Sequence, residues 1–327
     1  MGSGMTGSNL RFVLCFLLGF CAIPSLIAMT DPLGWWSGQP RELVWTDDRE
    51  DRTIAVETLI RLAREMPEKK VIIGTSYVGF GIDTCGTDFA RLWLPLLRPG
   101  EAARIVSAGL EEDKTMIVDL AAVTSLSGPD FRGTEEYGVK DYLFDPRRIA
   151  AAIRNDPQVR ACDVIPMSSI GNQQRERDAR AQSALPIDAR RLQATLAMFL
   201  ADVTPACRAS KGRLQLVLFP NAHRPATQAY TRANAARANE AVNEILRAAH
   251  SGCAVEFSNL ALEDYDRLDA RNAFHDPDDW FDNTHFKPAT GRDYLNAIDR
   301  TLEGSAINSA AAAGKEDRTR KGAATCD

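Results

Sequence analysis

The sequence predicts a three-layer α/β/α domain built on a mainly parallel, five-stranded sheet. Short runs rich in aliphatic residues alternate with longer stretches whose apolar residues recur at helical spacing. This alternation is typical of an α/β fold, in which helices cover both faces of the sheet. The chain has 327 residues, 45% hydrophobic and 25% charged, which is enough apolar material for one large core.

The first half of the domain is predicted to alternate helix and strand between residues 53 and 120. Apolar residues at helical spacing, such as Val56 and Ile60, open it, and the consecutive aliphatics Val71 to Ile73 are typical of a buried strand. Pro99 is expected to stop a short helix that precedes it. The elements predicted here are a helix over 53–66, a strand over 70–74, a helix over 89–97, and strands over 104–107 and 115–120.

One connection in this half is unusually short. Only a few polar residues separate Gly109 from the strand at 115–120, whereas two parallel strands need a crossover of about a dozen residues or more. Either the crossover is abbreviated, or one of the two predicted strands is wrong.

The second half repeats the pattern up to residue 302. Its clearest strand is the apolar run from Leu214 to Phe219, and its clearest helix is alanine-rich. Residues 125–147 read as a long irregular insertion that could cover a substrate. The elements predicted here are helices from Asp145 or Pro146 to Ile153 and over 192–201, 232–250 and 289–302, with strands over 213–219 and 254–257.

A hydroxyl pair follows the first strand. Thr75 and Ser76 come directly after Gly74, at the carboxyl end of a strand that we expect to be parallel to its neighbours. Open α/β sheets place their ligands at that edge. Hydroxyl residues also favour the first position of a helix, so these two side chains could instead simply cap the helix that follows.

The second polar block lies just before the last predicted helix. Asp282 and His285 are three residues apart, so one turn of backbone could bring a carboxylate and an imidazole to the same place. A serine becomes a nucleophile when a base takes its proton, and a third group has to hold that base in position. The two blocks together predict a catalytic triad of Ser76, Asp282 and His285.

These two blocks resemble the SGNH (GDSL-type) hydrolase superfamily. The resemblance covers about residues 68–302 by order of elements, and it implies a flavodoxin-like α/β/α fold with Ser76 as nucleophile. It also implies an oxyanion hole made by the backbone N–H groups of Ser76 and Gly109, although Gly109 could equally be a glycine that ends a strand. The chain departs from the family at its third block, where Asp119 stands without the usual Gly-x-Asn-Asp.

Three further residues are candidates for substrate binding. Asn221 and His223 follow the strand at 213–219 and should face the same crevice as Ser76. Asp119, at the end of the strand at 115–120, is the third. Ordinary loop chemistry would explain these residues as well.

A metal site is the alternative chemistry. The side chains that could collect a cation are His223, His275, His285, Asp276, Asp278 and Asp279. Their spacing matches no ligand pattern for zinc, and acidic runs of this kind are typical of a solvated loop. We therefore expect neither a metal nor any other cofactor.

The N-terminal region predicts a membrane anchor. Residues 12–29 contain no charge and are just long enough to cross a bilayer. We favour an uncleaved anchor over residues 1–29 that leaves the domain in the periplasm, bound to the inner membrane. The alternative is a signal peptide that is cleaved to release a secreted protein, but the apolar run is long for one and its cleavage pattern is poor.

The remaining segments set the domain limits and the compartment. Residues 30–53 read as a linker, 54–304 as the catalytic domain and 305–327 as a disordered tail. An oxidising compartment would allow one disulfide among Cys85, Cys162, Cys207 and Cys253, with the pair left open. A formal net charge of -5 without a basic stripe gives no support for nucleic-acid binding.

The expected function follows from the resemblance. Exported SGNH-like proteins modify bacterial surface polysaccharides, which implies a serine esterase or O-acyltransferase that adds or removes acetyl groups. Its partners would be an acylated carbohydrate or another acyl donor, the membrane, and a membrane-bound acyltransferase. The alternative is a catalytically degenerate domain that binds glycan or protein, and the missing Gly-x-Asn-Asp block is what supports it.

Overall fold

The computed structural model describes most of the predicted domain. The described residues are 49–94, 97–124, 188–222, 228–248, 253–280 and 285–303, together with 21, 22, 24–26, 28 and 29. The predicted linker, the insertion at 125–147, the helix ending at Ile153 and the tail lie largely or wholly outside them. Among the described residues, no helix combines the length and the apolar character of a membrane span.

Helices and strands alternate along the described chain. The strands are β1 (Lys70–Gly74), β2 (Phe89–Trp93), β3 (Thr115–Asp119), β4 (Arg213–Val217) and β5 (Val255–Ser258). The helices are α1 (Arg49–Glu65), α2 (Ser76–Gly81), α3 (Pro99–Glu111), α4 (Leu120–Thr124), α5 (Ala189–Ala209), α6 (Gln228–Ala248), α7 (Leu260–Ala270) and α8 (residues 288–303). A short 3₁₀ turn covers Pro277–Asp279.

The five strands form one parallel sheet in the order β2-β1-β3-β4-β5. After β1 the chain builds β2 on one side of it and then β3 on the other. The strand order therefore reverses at β1, and a crevice opens between the carboxyl ends of β1 and β3. The predicted fold class, a three-layer α/β/α sandwich, is confirmed.

The two faces of the sheet carry separate apolar cores. Successive side chains of a strand point to opposite faces, so Val71 and Ile73 contact one core while Ile72 contacts the other. The first core lies under α1, α3, α5 and α6. The second lies under α2 and α8 and is rich in aromatic rings, among them Phe80, Phe286 and Tyr294.

Two of the predicted elements are wrong. Residues 104–107, predicted as a strand, lie inside α3, and residues 89–93, predicted as part of a helix, are the edge strand β2. Pro99 is the first residue of α3 rather than a stop signal, and the Glu101 carboxylate accepts the Arg98 backbone N–H at 3.0 Å. With these corrections the connection is no longer too short, because α3 itself forms the crossover from β2 to β3.

The other predicted elements that fall within the described residues agree with the structure to within a few residues, except that α5 is longer than the predicted 192–201. A disulfide joins Cys207, near the end of α5, to Cys253, just before β5, with 5.5 Å between the Cα atoms. It ties the helix layer to the edge of the sheet. Cys85 is disulfide-bonded as well.

Candidate active site

Ser76 and His285 meet at the carboxyl edge of β1. The His285 Nε2 lies 2.8 Å from the Ser76 Oγ, although the two residues are 209 positions apart in sequence. Ser76 is the first residue of α2, and both side chains are partly buried. The structure thus brings together two of the three predicted triad residues at hydrogen-bonding distance.

Aromatic rings hold the imidazole. The His285 ring meets the Phe80 ring edge-on, with centroids 5.4 Å apart, and the Tyr77 ring lies 5.7 Å away. The next residue, Phe286, is fully buried and forms an isolated antiparallel bridge with Trp280. Asp282, the predicted third member of the triad, lies outside the described residues.

Two glycines let the serine helix lie against the helix that follows His285. A Cβ added to Gly291 of α8 would stand 1.8 Å from the backbone oxygen of Gly81 on α2. A Cβ on Gly81 would stand 2.2 Å from the Phe286 ring. Since no side chain fits between them, α2 and α8 pack with their backbones in close approach.

Thr75 does not act as a conventional helix cap. It occupies the position before α2, but its side chain makes no capping hydrogen bond. Its hydroxyl instead donates to the Asp119 Oδ2 at 3.1 Å, and its backbone N–H faces the same oxygen at 3.5 Å. With Ser76 bonded to His285, neither hydroxyl is explained by helix capping.

Asp119 is not exposed to substrate, which corrects its prediction as a binding residue. Only 1% of its surface is accessible, and its second oxygen, Oδ1, accepts the Ala121 backbone N–H at 3.0 Å. Burial raises the pKa of Asp119 to about 6, against the opposing effect of these hydrogen bonds. The carboxylate lies beneath the serine turn rather than in the crevice.

Gly109 is not in the oxyanion hole, and this prediction is also wrong. It lies in the last turn of α3, and its carbonyl accepts the backbone N–H of Lys114, directly before β3. That is the amino edge of the sheet, opposite Ser76. Its lack of a side chain makes room for Met116, whose sulfur would lie 2.3 Å from an added Cβ.

Asn221 is linked to Ser76 and His285 by the side chain of Tyr77. The Tyr77 hydroxyl donates to the Asn221 Oδ1 at 2.7 Å, and Asn221 itself is exposed. The backbone of Asn221 is fixed by the buried Tyr265, whose hydroxyl accepts its N–H and donates to its carbonyl. The predicted candidate Asn221 therefore borders the site, while His223 lies outside the described residues.

Tyr77 was not predicted as a site residue. Its ring borders His285 and its hydroxyl holds Asn221. The only sequence signal was its place directly after Ser76. Adjacency to Ser76 in the sequence does not show whether the Tyr77 ring points toward the site.

A cavity separate from the Ser76 crevice lies between α7 and α8, beside Trp280. Its volume is about 720 Å³, and its floor holds the buried Asp264. The carboxylate of Asp264 pairs with His275 at 2.6 Å and accepts the Tyr294 hydroxyl at 3.1 Å. His275 thus has a carboxylate partner, and the described residues contain no group of three side chains arranged to hold a metal ion.

No protein-family model matches this sequence, and no curated protein matches it. Fold and site together define only a class: a three-layer α/β/α protein with a serine–histidine pair at the carboxyl edge of its first strand.

Proposed function

We propose that this protein is a serine esterase or O-acyltransferase of the SGNH type. The observation that carries the proposal is the 2.8 Å contact between the Ser76 Oγ and the His285 Nε2. A nucleophile and a base within hydrogen-bonding distance, in the crevice of an open parallel sheet, are the elements of acyl transfer through a covalent intermediate.

In this mechanism His285 takes the proton of the Ser76 hydroxyl as its oxygen attacks an ester carbonyl. The tetrahedral intermediate collapses when His285 returns that proton to the leaving alcohol, and the acyl group remains on Ser76. Water or a sugar hydroxyl then attacks the acyl-enzyme, again with His285 as base. Asp282 is proposed to orient the imidazole and to stabilise its cationic form.

The oxyanion would be held in part by the backbone N–H of Ser76. Asn221, exposed and held by Tyr77, is proposed to contact the alcohol or sugar portion of the substrate. A carboxamide can both donate and accept hydrogen bonds, and a tyrosine ring offers an apolar face, a combination that suits a sugar.

The proposed setting is the periplasmic side of the inner membrane, reached through the apolar segment at 12–29. The Cys207–Cys253 disulfide supports an oxidising compartment. An acylated surface polysaccharide is the proposed substrate, with a membrane-bound acyltransferase as a partner that would supply acyl groups.

The test is covalent labelling by a fluorophosphonate, which reacts with activated serines. The wild-type protein should be labelled, and Ser76→Ala should not. His285→Ala should react about 100- to 10,000-fold more slowly because it lacks the base. Ser107→Ala, on α3, serves as the matched control and should react like the wild type.

A glycan- or protein-binding domain without turnover is the second candidate. It is favoured by one observation: Gly109, the expected second oxyanion donor, lies at the opposite edge of the sheet from Ser76. A folded wild-type protein that resists fluorophosphonate at every pH would support this candidate and overturn the enzyme.

A further inference from the structure

The end of β3 buries a carboxylate next to the serine turn. Placing a charge in an apolar sheet is unfavourable unless hydrogen bonds offset the loss of water. Asp119 is the last residue of β3, and only 1% of its surface is accessible. The hydrogen bonds of Asp119 must therefore offset the loss of water around its carboxylate.

Its contacts point to Ser76. Of the three donors that face the carboxylate, two belong to Thr75: the hydroxyl at 3.1 Å and the backbone N–H at 3.5 Å. The third is the backbone N–H of Ala121 at 3.0 Å. Asp119 therefore links α4 to the residue directly before the nucleophile.

The strand that leads to the serine is shaped around this carboxylate. A Cβ added to Gly74 would stand 2.4 Å from the Val78 Cγ2, 2.7 Å from the Asp119 Cβ and 3.1 Å from the Asp119 Oδ2. Any larger residue at position 74 would push the turn and the carboxylate apart. The close approach allows Thr75 to reach Asp119.

The other end of α2 is fixed separately. Arg91 of β2 is buried, and it donates to the carbonyls of Gly79 at 3.1 Å and Ile82 at 2.6 Å. With the carboxyl end of the helix held by Arg91, the position of its first residue depends on what holds the turn before it.

We propose that Asp119 is a positioning residue for Ser76. Its ionised carboxylate holds Thr75 and so presents the Ser76 hydroxyl to His285. This inference rests on the proposed function, since it concerns the reactivity of the same serine.

The charge matters because all three groups facing Asp119 can donate. An ionised carboxylate accepts on both oxygens, whereas a carboxamide or a protonated acid must direct a hydrogen toward one of them. Asp119→Asn should therefore disturb the turn while keeping size and shape.

Among the described residues, burial and hydrogen bonds rather than charged neighbours set the pKa of this carboxylate. The neighbouring strands carry Lys70 and Arg213, but both are paired with Thr115, at the opposite end of β3. Among the described residues on the crevice side, His285 is ionisable and reaches the turn through Ser76. The reactive state therefore requires Asp119 to be ionised.

The experiment measures the rate of fluorophosphonate labelling of Ser76 in the full chain, from about pH 5 to pH 8. Asp119→Asn should label about 10- to 100-fold more slowly at neutral pH, because misplacing reacting atoms by a fraction of an ångström has effects of this size. In the wild type the rate should rise through about pH 6 as Asp119 ionises, and the variant should lose this part of the rise.

Two further variants separate positioning from general damage. Thr75→Val removes the hydroxyl at nearly constant volume and should slow labelling, whereas Thr75→Ser keeps the hydroxyl and should restore it. Combining Asp119→Asn with Thr75→Val should slow labelling by less than the product of the single effects, because both remove one interaction. Asp113→Asn, in the turn that precedes β3, is the matched control and should label like the wild type.

Labelling of Asp119→Asn at the wild-type rate and pH profile would overturn the inference and leave the proposed function standing. If that variant does not fold, equal rates for Thr75→Val and Thr75→Ser would overturn the inference. Absence of labelling in the wild type would overturn the proposed function and, with it, the role of Asp119.

Discussion

Tyr77 and Asn221 place a hydroxyl and a carboxamide beside the proposed nucleophile. Their side chains are joined by a 2.7 Å hydrogen bond, and the Tyr77 ring also borders His285. The pair is therefore anchored on one side and exposed through Asn221 on the other. We infer that it distinguishes substrates by their alcohol portion and leaves the acyl chemistry to Ser76 and His285.

Replacing Tyr77 with phenylalanine tests this inference. The variant keeps the ring but frees the carboxamide of Asn221, so kcat/KM for an acetylated sugar such as glucose pentaacetate should fall about tenfold. Hydrolysis of p-nitrophenyl acetate, which has no sugar portion, should change little. Tyr230→Phe on the exposed face of α6 is the control, and equal losses on both substrates would contradict the inference.

Substitution tests the proposed role of Asp282 as third member of the triad. Asp282→Asn should lower kcat strongly, because an asparagine favours the histidine tautomer that cannot accept the serine proton. The melting temperature should stay close to that of the wild type. Asp279→Asn, an exposed carboxylate three residues earlier, is the matched control. Unchanged turnover in Asp282→Asn would remove Asp282 from the mechanism.

At the level of elements, a buried lysine closes the end of α1. The Lys114 Nζ donates to the carbonyls of Ala63 at 2.7 Å, Arg64 at 3.0 Å and Met66 at 2.7 Å. The carbonyls of Ala63 and Arg64 have no partner within the helix, since the last turn of any helix leaves its carbonyls free, and Met66 directly follows the helix. Burial lowers the pKa of Lys114.

Lys114→Met should therefore destabilise the protein without touching the site. It keeps most of the aliphatic stem but leaves three carbonyls unpaired, so the free energy of unfolding should fall by about 2–3 kcal/mol. Urea denaturation measures this change. Lys69 is an exposed lysine nearby, so Lys69→Met should leave the free energy of unfolding almost unchanged. An equal loss in Lys69→Met would contradict the role of Lys114 in capping α1.

The two mispredicted elements, β2 and α3, have sequences whose local pattern differs from their structure. β2 is buried along its whole length, but Arg91 interrupts its apolar run. The Arg91 guanidinium donates to the carbonyls of Gly79 in α2 and of Ile82 directly after it, so these partners come from a different element. In α3, Ile105 and Val106 are typical of a strand when read alone. Their helical state depends on Pro99 at the start and on packing against α5, which no local pattern contains.

For the whole molecule, the disulfide between Cys207 and Cys253 closes a loop with a sequence separation of 46. A crosslink of this length typically stabilises by about 2–4 kcal/mol, largely by restricting the unfolded chain. Cys207→Ser and Cys253→Ser should therefore lower the melting temperature by similar amounts, and the double variant by no more than either. Additive losses would show that the two thiols act separately.

The pairing of Ser76 with His285 was predictable because each stands beside a strong local signal, the end of a strand and the start of a helix. The roles of Asp119 and Tyr77 were not predictable, since they depend on neighbours from other strands. A buried Asp119 and an exposed one look identical in the sequence. Gly109 was misassigned for the same reason, because its surroundings decide whether its N–H is available.

The backbone contact between Gly81 and Gly291 affects how the protein loses activity when it unfolds. Because the backbones of α2 and α8 touch and His285 lies three residues before α8, we expect the serine and the histidine to move as one unit. Activity and global structure should then disappear at the same urea concentration, since no separate local opening of the site precedes unfolding. Gly291→Ala should push the two helices apart and separate the transitions, with labelling of Ser76 lost in urea that leaves the circular dichroism of the sheet intact.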